Sequence, residues 1–436
     1  MRAVIALIAW LAIAIPTHAG NVLVVAPSGA PYANLQAAVD AAHDGDIVLV
    51  KTGNYLGFVV ANASANKSLS VVADNGQSVH LGAPVQLFAL DPSRDVLLSG
   101  LQIDVANRAG NAGLTATGCS GSIRVQSCQI QGGEHAAGVS IQNSSDVSLV
   151  DTMIIGGNGT PGLASLDPNA NGAIGVTVSG ASIALYECTV DGGTGAPTNC
   201  FGGAGGDGLQ AFSTYAFAAS SAFAGGHGAN AQNHCFANCK YCVCGGGNGG
   251  NGVTLLPSTA SSRSRLDAFT CDLEGGDAGF SGQNVMGCCG FVSTCDGDPA
   301  DPGTAISVGT ADVYEPIGGT LPLFTVSQNP VRERSTVTLR FAGQPGDEVF
   351  LVASSETSFT PSMFNGVQLI PSDSHTYVTR VGILGTNGIL ELTRRIPDLR
   401  PGTQGEILYM QSMHKSPAGS FTLGNLVSLV ILDQTL

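Results

Sequence analysis

Cys235, Cys239, Cys242 and Cys244 fall within ten residues, with His234 just upstream and a glycine run from Gly245 onward. Thiols at this spacing beside an imidazole are the ligand types of a zinc knuckle. In an oxidising compartment the same residues become halves of disulfides. Cys200, Cys288, Cys289 and Cys295 stand in comparable glycine-flanked stretches. Two neighbouring segments, "GGAGGDGLQ" from Gly202 and "GGNGGNGVT" from Gly246, fit the calcium-binding nonapeptide G-G-x-G-x-D-x-U-x, the second with Asn251 for Asp. Asp207 is the Ca²⁺ candidate they offer. Such sites complete one another in tandem, and these two copies are not adjacent. The glycines read more simply as a long loop re-entering a strand, with Asp207 or Asn251 at the turn.

The compartment decides between these chemistries. Arg2, an apolar run from Ala3 to Ile15 and Thr17-His18-Ala19 before Gly20 have the order of a secretory signal peptide, residues 1–19. No later segment is apolar for the length of a membrane span, so membrane insertion is not expected. The mature chain is expected to be exported, to the medium or a cell surface. Its twelve cysteines are an even number, and in that setting disulfides are favoured over zinc. Seventeen Lys+Arg against 32 Asp+Glu give a net charge of −15. That surface repels nucleic acid and anionic membranes, and polyuronates too unless a divalent cation bridges them. Sixty glycines without a Gly-X-Y period exclude collagen and point to a turn-rich β protein.

One frame recurs six times: "VLLSGLQIDV" from Val96, "IRVQSCQIQGG" from Ile123, "VSLVDTMIIGG" from Val147, "IALYECTVDGG" from Ile183, "AFAASSAFAGG" from Ala216 and "LDAFTCDLEGG" from Leu266. Period-two alternation on both sides of a short corner means two strands per copy. A third strand precedes each later copy, as in "AGVSIQN", "IGVTVSG" and "NGVTLLP". Three short strands per turn, like residues stacked, and one corner of variable length describe a parallel β-helix. Cys128, Cys188 and Cys271 fall in one inward column with Thr152 and Ser221, as small core residues. Cys119 sits in a corner within expected reach of Cys128.

"NLQAAVDAAHDGDIVLVKTGNYLGFVV" (34–60) is similar to the N-terminal entry of right-handed parallel β-helix proteins of the pectin-lyase-like superfamily. The resemblance spans about residues 22–315 and implies an amphipathic cap, here Leu35, Ala38, Val39 and Ala42, followed by a first-turn strand. It speaks for fold and not for any one activity. After Gly318 the glycine and cysteine content falls, and alternating segments such as "TVTLRF" and "LVSLVILD" predict an immunoglobulin-like β-sandwich. Thr386-Asn387-Gly388 reads as a hairpin turn. The expected organisation is a signal peptide (1–19), a right-handed parallel β-helix with its capping helix (20–317) and a β-sandwich accessory domain (318–436).

Loops at the same corner of successive turns stack, so Cys200, Cys235, Cys239, Cys242, Cys244, Cys288, Cys289 and Cys295 can meet as four disulfides tying three loops. In pectin-lyase-like enzymes the substrate cleft lies beside such loops. Asp191 and Glu274 share an outward column with Ala224 between them, ~9–10 Å apart, near the separation of an inverting glycosidase pair. Asp151 and Glu187 occupy equivalent places on adjacent turns, where a cation could be shared. "GHG" around His227 resembles the histidine motif of polygalacturonases, but their Asn-x-Asp, Asp-Asp and Arg-x-Lys partners are missing. Arg265, a possible lyase base, has no partner placed by the sequence. The expectation is an extracellular or cell-surface β-helix protein, binding or structural, with polysaccharide as the candidate partner; the alternative is a polysaccharide lyase or glycoside hydrolase. A flat Ser/Thr/Asn face would favour binding, and a loop-covered polar groove catalysis.

Overall fold

The computed structural model describes residues 20–61, 66–162, 168–198, 201–231, 245–256, 263–280, 300–310, 312–361, 364–373 and 375–436. Residues 1–19 and the eight loop cysteines from Cys200 to Cys295 lie outside them, so the expected signal peptide and disulfide cluster do too.

Three parallel sheets run the length of the first two-thirds of the chain. A wide, ten-stranded sheet starts at Val22–Val25 and ends at Val313–Ile317. An eight-stranded sheet of short strands runs from Gly53–Tyr55 to Asp272–Glu274, and a third, also eight-stranded, from Val59–Val60 to Ile306–Val308. Each of the eight complete turns contributes one strand to each sheet, the wide sheet gains one more at either end, and every turn pairs with the turn before. This is the right-handed parallel β-helix expected from the repeat frame. The capping helix, Leu35–Ala41, is started by the Asn34 side chain, which accepts the Ala37 N–H. It buries Leu35, Ala38 and Val39 over the open end.

The two corners flanking the wide sheet are built alike. At one, Gly100, Ser127, Asp151, Glu187, Ser220 and Thr270 all adopt left-handed φ, between 48° and 72°. At the other, Ala89, Gly118, Asn143, Gly180 and Ser213 do the same. The residue after the left-handed one donates back to the carbonyl two residues upstream: Cys128 to Gln126, Thr152 to Val150, Cys188 to Tyr186, Ser221 to Ala219 and Cys271 to Phe269. Cys119, Ser144 and Thr214 repeat the contact at the second corner. The inward Cys/Thr/Ser column therefore holds as small core residues, each closing a corner. Cys119 and Cys128 serve different corners across the strand Ser122–Gln126, and both are free; the expected reach between them is not made.

The C-terminal region forms a three-stranded antiparallel sheet (Leu323–Val326, Thr336–Ala342, Ile389–Arg395) facing a five-stranded one that includes Glu348–Ser354, Gly405–Lys415 and Phe421–Leu432. Phe324 stacks on Phe341 between them, ring centroids 4.8 Å apart. The strands on either side of Gly388 belong to different sheets, Tyr377–Ile383 to the five-stranded and Ile389–Arg395 to the three-stranded. The predicted hairpin is thus a crossover, because Ile389–Arg395 pairs with Thr336–Ala342 instead.

This second unit lies along the outer face of the wide sheet. Outward residues Ile47, Leu49, Val72 and Leu97 pack on Val430 and Leu432. Farther along, Ala184, Tyr186, Phe217 and Phe269 pack on Leu321, Val367, Leu369 and Tyr409. Polar contacts join the seam: Arg332 bonds both oxygens of Asp74, and the Ser428 N–H donates to Gln126. Buried Arg124 pairs with Asp146 at 2.6 Å and reaches the Ser358 carbonyl. Where the sandwich covers it, the wide sheet is therefore dry on both faces, which is why its strands read as near-continuous apolar runs such as "DIVLV" and "YAFAA".

Candidate functional site

Beyond each short strand the chain enters a glycine segment with a period of three. Gly225, Gly228 and Ala231 donate to the carbonyls of Glu274, Asp277 and Phe280 on the next turn, at 2.8–3.0 Å. Gly226 and Ala229 donate instead to Gly206 and Gly203, in a facing segment that leads into the third sheet. Alternate donation every third residue, with no bonds inside the segment, is the pattern of polyproline-II-type helices packed side by side. The segments of the short-strand side form one layer and those before the third sheet form another. The glycines in them have ordinary φ; what they supply is space. A Cβ on Gly225, Gly226 or Gly228 would sit 1.9 Å from the carbonyl oxygen of Gly250, Gly193 or Gly247.

The third residue of each triplet points its N–H outward, and a side chain from the turn before receives it. Asn158 accepts from Thr194 at 2.9 Å, His227 from Asp277 at 3.0 Å and Asn230 from Phe280 at 2.8 Å. On the other layer Asn171 serves Ala204, Asn248 serves Asp301, Asp207 serves Asn251 and Asn251 serves Thr304, at 2.7–3.0 Å. These contacts give His227 and Asp207 their places. His227 is an exposed member of the outward column, also 3.5 Å from the Asp277 carboxylate. One oxygen of the Asp207 carboxylate accepts the Asn251 N–H. Both matches to the calcium nonapeptide thus fall on this triplet ladder. Among the described residues, no group of three or more His, Cys, Asp or Glu is placed to hold a metal.

The short-strand sheet carries Asp191 and Glu274 as its outward edge. The register Ile155–Asp191–Ala224–Glu274 puts them two rungs apart. Asp191 is half-buried, and burial raises its pKa; Glu274 is exposed. Asp151 and Glu187 do sit on adjacent rungs of the left-handed corner. Asp151 accepts the Ser127 hydroxyl at 2.8 Å. Burial, then the Asp151 charge, raises the Glu187 pKa, with Arg340 of the sandwich opposing.

The third sheet presents a different surface. Gln86, Thr115, Ser140, Thr177, Gln210, Thr254 and Ser307 are successive partners in one outward column. Beside it run Phe88, Thr117, Gln142, Ser179, Phe212 and Leu256. Rungs about 4.8 Å apart make this a flat strip of short hydroxyl and amide groups, with Phe212 41% exposed in it. The side chains of Thr115, Ser140, Thr177 and Gln210 make no hydrogen bond to another described residue. The outward Asn251 and Thr304 of the glycine bundle lie on the segments that enter this sheet.

A cleft of about 390 Å³ opens where the sandwich stops short of the last turns of the wide sheet. Arg265, Asp267 and Glu315 line one wall, and Phe364, Asn365 and Gly366 of the sandwich the other. Arg265 gains the partners that the sequence left unplaced: its Nε donates to Asp267 at 2.7 Å and its Nη2 to Glu315 at 2.6 Å. Tyr215 donates to the second Asp267 oxygen at 3.0 Å. Burial, then the Asp267 charge, raises the Tyr215 pKa, so it stays a phenol. The sequence hid this cleft because one wall comes from residues 215–318 of the β-helix and the other from residues 364–366 of the sandwich.

No known protein family and no curated protein matches the sequence. Among solved structures, Spo0M, a sporulation control protein from Bacillus subtilis, aligns at 10% identity and a TM-score of 0.17, over 27% of this chain and 50% of that one. This chain therefore spans about half the length of that neighbour. The enzymatically active domain of bacteriophage CBA120 tailspike protein 2 aligns at 9% identity and 0.21, over 92% and 74%. The periplasmic alginate epimerase AlgG aligns at 8% and 0.18, over 61% and 77%. At these scores the fold rests on the strand pairing itself: a right-handed parallel β-helix whose wide sheet is covered by a β-sandwich.

Proposed function

We propose that this is an exported protein that binds a neutral polysaccharide along the third sheet. The observation that carries the reading is the column from Gln86 to Ser307, one polar side chain per rung, in which Thr115, Ser140, Thr177 and Gln210 make no side-chain hydrogen bond to another described residue. A sugar chain laid along the helix axis meets repeating donors and acceptors at a spacing close to one sugar residue. Phe88 and Phe212 offer apolar faces to the ring C–H groups. The strip carries no cation, and the chain's net charge of −15 disfavours acidic glycans.

The test is retention on insoluble and gel-embedded neutral polysaccharides, alongside polyuronates, with and without Ca²⁺. Retention on a neutral glycan, weakened at least tenfold by the double substitution Gln210→Ala, Phe212→Ala, is the expected result. Retention unchanged in that variant, or confined to polyuronates, would remove the third sheet as the binding face.

A second reading has one observation in its favour. Asp191, its pKa raised by burial, and exposed Glu274 have the pairing of a general acid with a base across an inverting site. New reducing ends released from the same panel without unsaturated products, and abolished by Asp191→Asn or Glu274→Gln, would make the protein a hydrolase. Turnover that survives both substitutions would place catalysis elsewhere.

A further inference from the structure

We propose that the cleft between the wide sheet and the sandwich is a second saccharide site, which holds a single neutral sugar ring. Its volume, about 390 Å³, lies in the range of small-ligand sites. Its polar groups are held before any ligand arrives. Asp267, 7% exposed, accepts from both Tyr215 and Arg265, and Glu315 grips the far side of the same guanidinium. Arg265 keeps its Nη1 donors and Glu315 its second carboxylate oxygen without a partner among the described residues. Asn365, exposed on the opposite wall, adds an amide that both donates and accepts.

A planar guanidinium next to a fixed carboxylate offers one donor edge and one acceptor edge side by side. That is the complement of two neighbouring hydroxyls on a sugar ring, each of which donates once and accepts once. Phe364, 39% exposed, supplies an apolar surface for the ring's C–H face. One arginine against two carboxylates leaves the lining with a formal charge of −1, which turns away uronates and phosphates. The lining is too polar for a lipid. One wall comes from each unit, so an occupied cleft also fastens the sandwich to the last turns of the β-helix.

The site is separate from the third-sheet strip, and the experiment separates them. The full mature chain is titrated with the methyl glycosides of glucose, galactose and mannose and with glucuronate, by saturation-transfer NMR. At least one neutral glycoside is expected to bind and glucuronate to bind at least tenfold more weakly. Glu315→Ala and Asn365→Ala, both at exposed side chains, should each reduce binding at least fivefold with the melting temperature unchanged. Gln210→Ala, Phe212→Ala should leave it intact. Absence of binding by all three neutral glycosides, preference for glucuronate, or binding indifferent to both cleft variants would each overturn the proposal.

Discussion

The carbonyl oxygen of Gly193 lies 1.9 Å from where a Cβ on Gly226 would stand. Nothing flexible is there to give way, since the obstructing atom is backbone. Gly226→Ala should therefore lower stability by at least about 3 kcal/mol, beyond the usual cost of overpacking. Gly318→Ala, with nothing within 4 Å of its Cβ and ordinary φ, is the matched control and should be near neutral. Thermal unfolding of both variants decides it; equal midpoints would mean that the bundle is looser than described.

Ala184 is fully buried on the wide sheet's outer face against the sandwich. Ala184→Glu places an unpaired charge in that seam, a cost of roughly 3–5 kcal/mol. The expected result is undocking: the radius of gyration from small-angle scattering rises while the far-UV circular dichroism is kept. A chain that stays as compact as the parent would show the seam is held by other contacts.

His414 is buried in the sandwich, neither ring nitrogen has a hydrogen-bond partner, and burial pushes its pKa down to about 4. Between that value and the ordinary ~6.5, the unfolded chain binds a proton that the folded one refuses. Stability from this group is complete above pH ~6.5 and declines as pH falls toward 4, by roughly 3 kcal/mol in all. Urea midpoints at pH 7 and pH 4.5 should differ less in His414→Leu than in the parent. The same pH slope in both proteins would sink the assignment.

Thr270 is a β-branched residue at φ 49°, where left-handed backbone costs about 1–2 kcal/mol. Thr270→Gly relieves that strain against the extra entropy of glycine. A net gain of up to about 1 kcal/mol is expected in chemical denaturation. A loss would mean that the Thr270 side chain contributes more than its strained backbone removes.

Burial pushes the thiols of Cys128 and Cys188 up to about 12. They should resist alkylation in the native protein, as should buried Cys119, and react only with unfolding. Mass spectrometry of peptides labelled before and after denaturation reads this directly. The same maps, run without reduction, test the proposed four disulfides among the loop cysteines from Cys200 to Cys295.

The β-helix was legible because stacking forces like residues into columns. Ile103, Ile130, Ile154, Val190, Phe223 and Leu273 keep one inward place however long the intervening loop. The docked sandwich was legible too, though only in hindsight: an exposed sheet would not carry Leu49, Leu97, Ala184 and Phe217 on its outer face. The glycine bundle escaped because its period is three. Read for period two or 3.6, both "GGHGAN" and "GGAGGD" look like loops. The Arg265 cleft escaped for a different reason, since its second wall is brought in by packing between units.

The packed triplets also set a rule for how such a chain can grow. Adding three residues to one glycine segment extends it by a full helical turn and returns every later N–H to its partner. Adding one or two rotates the remainder, sending glycine outward and a Cβ into the neighbouring backbone. The lengths of these segments are in effect quantised, and insertions compatible with the fold should arrive in multiples of three residues.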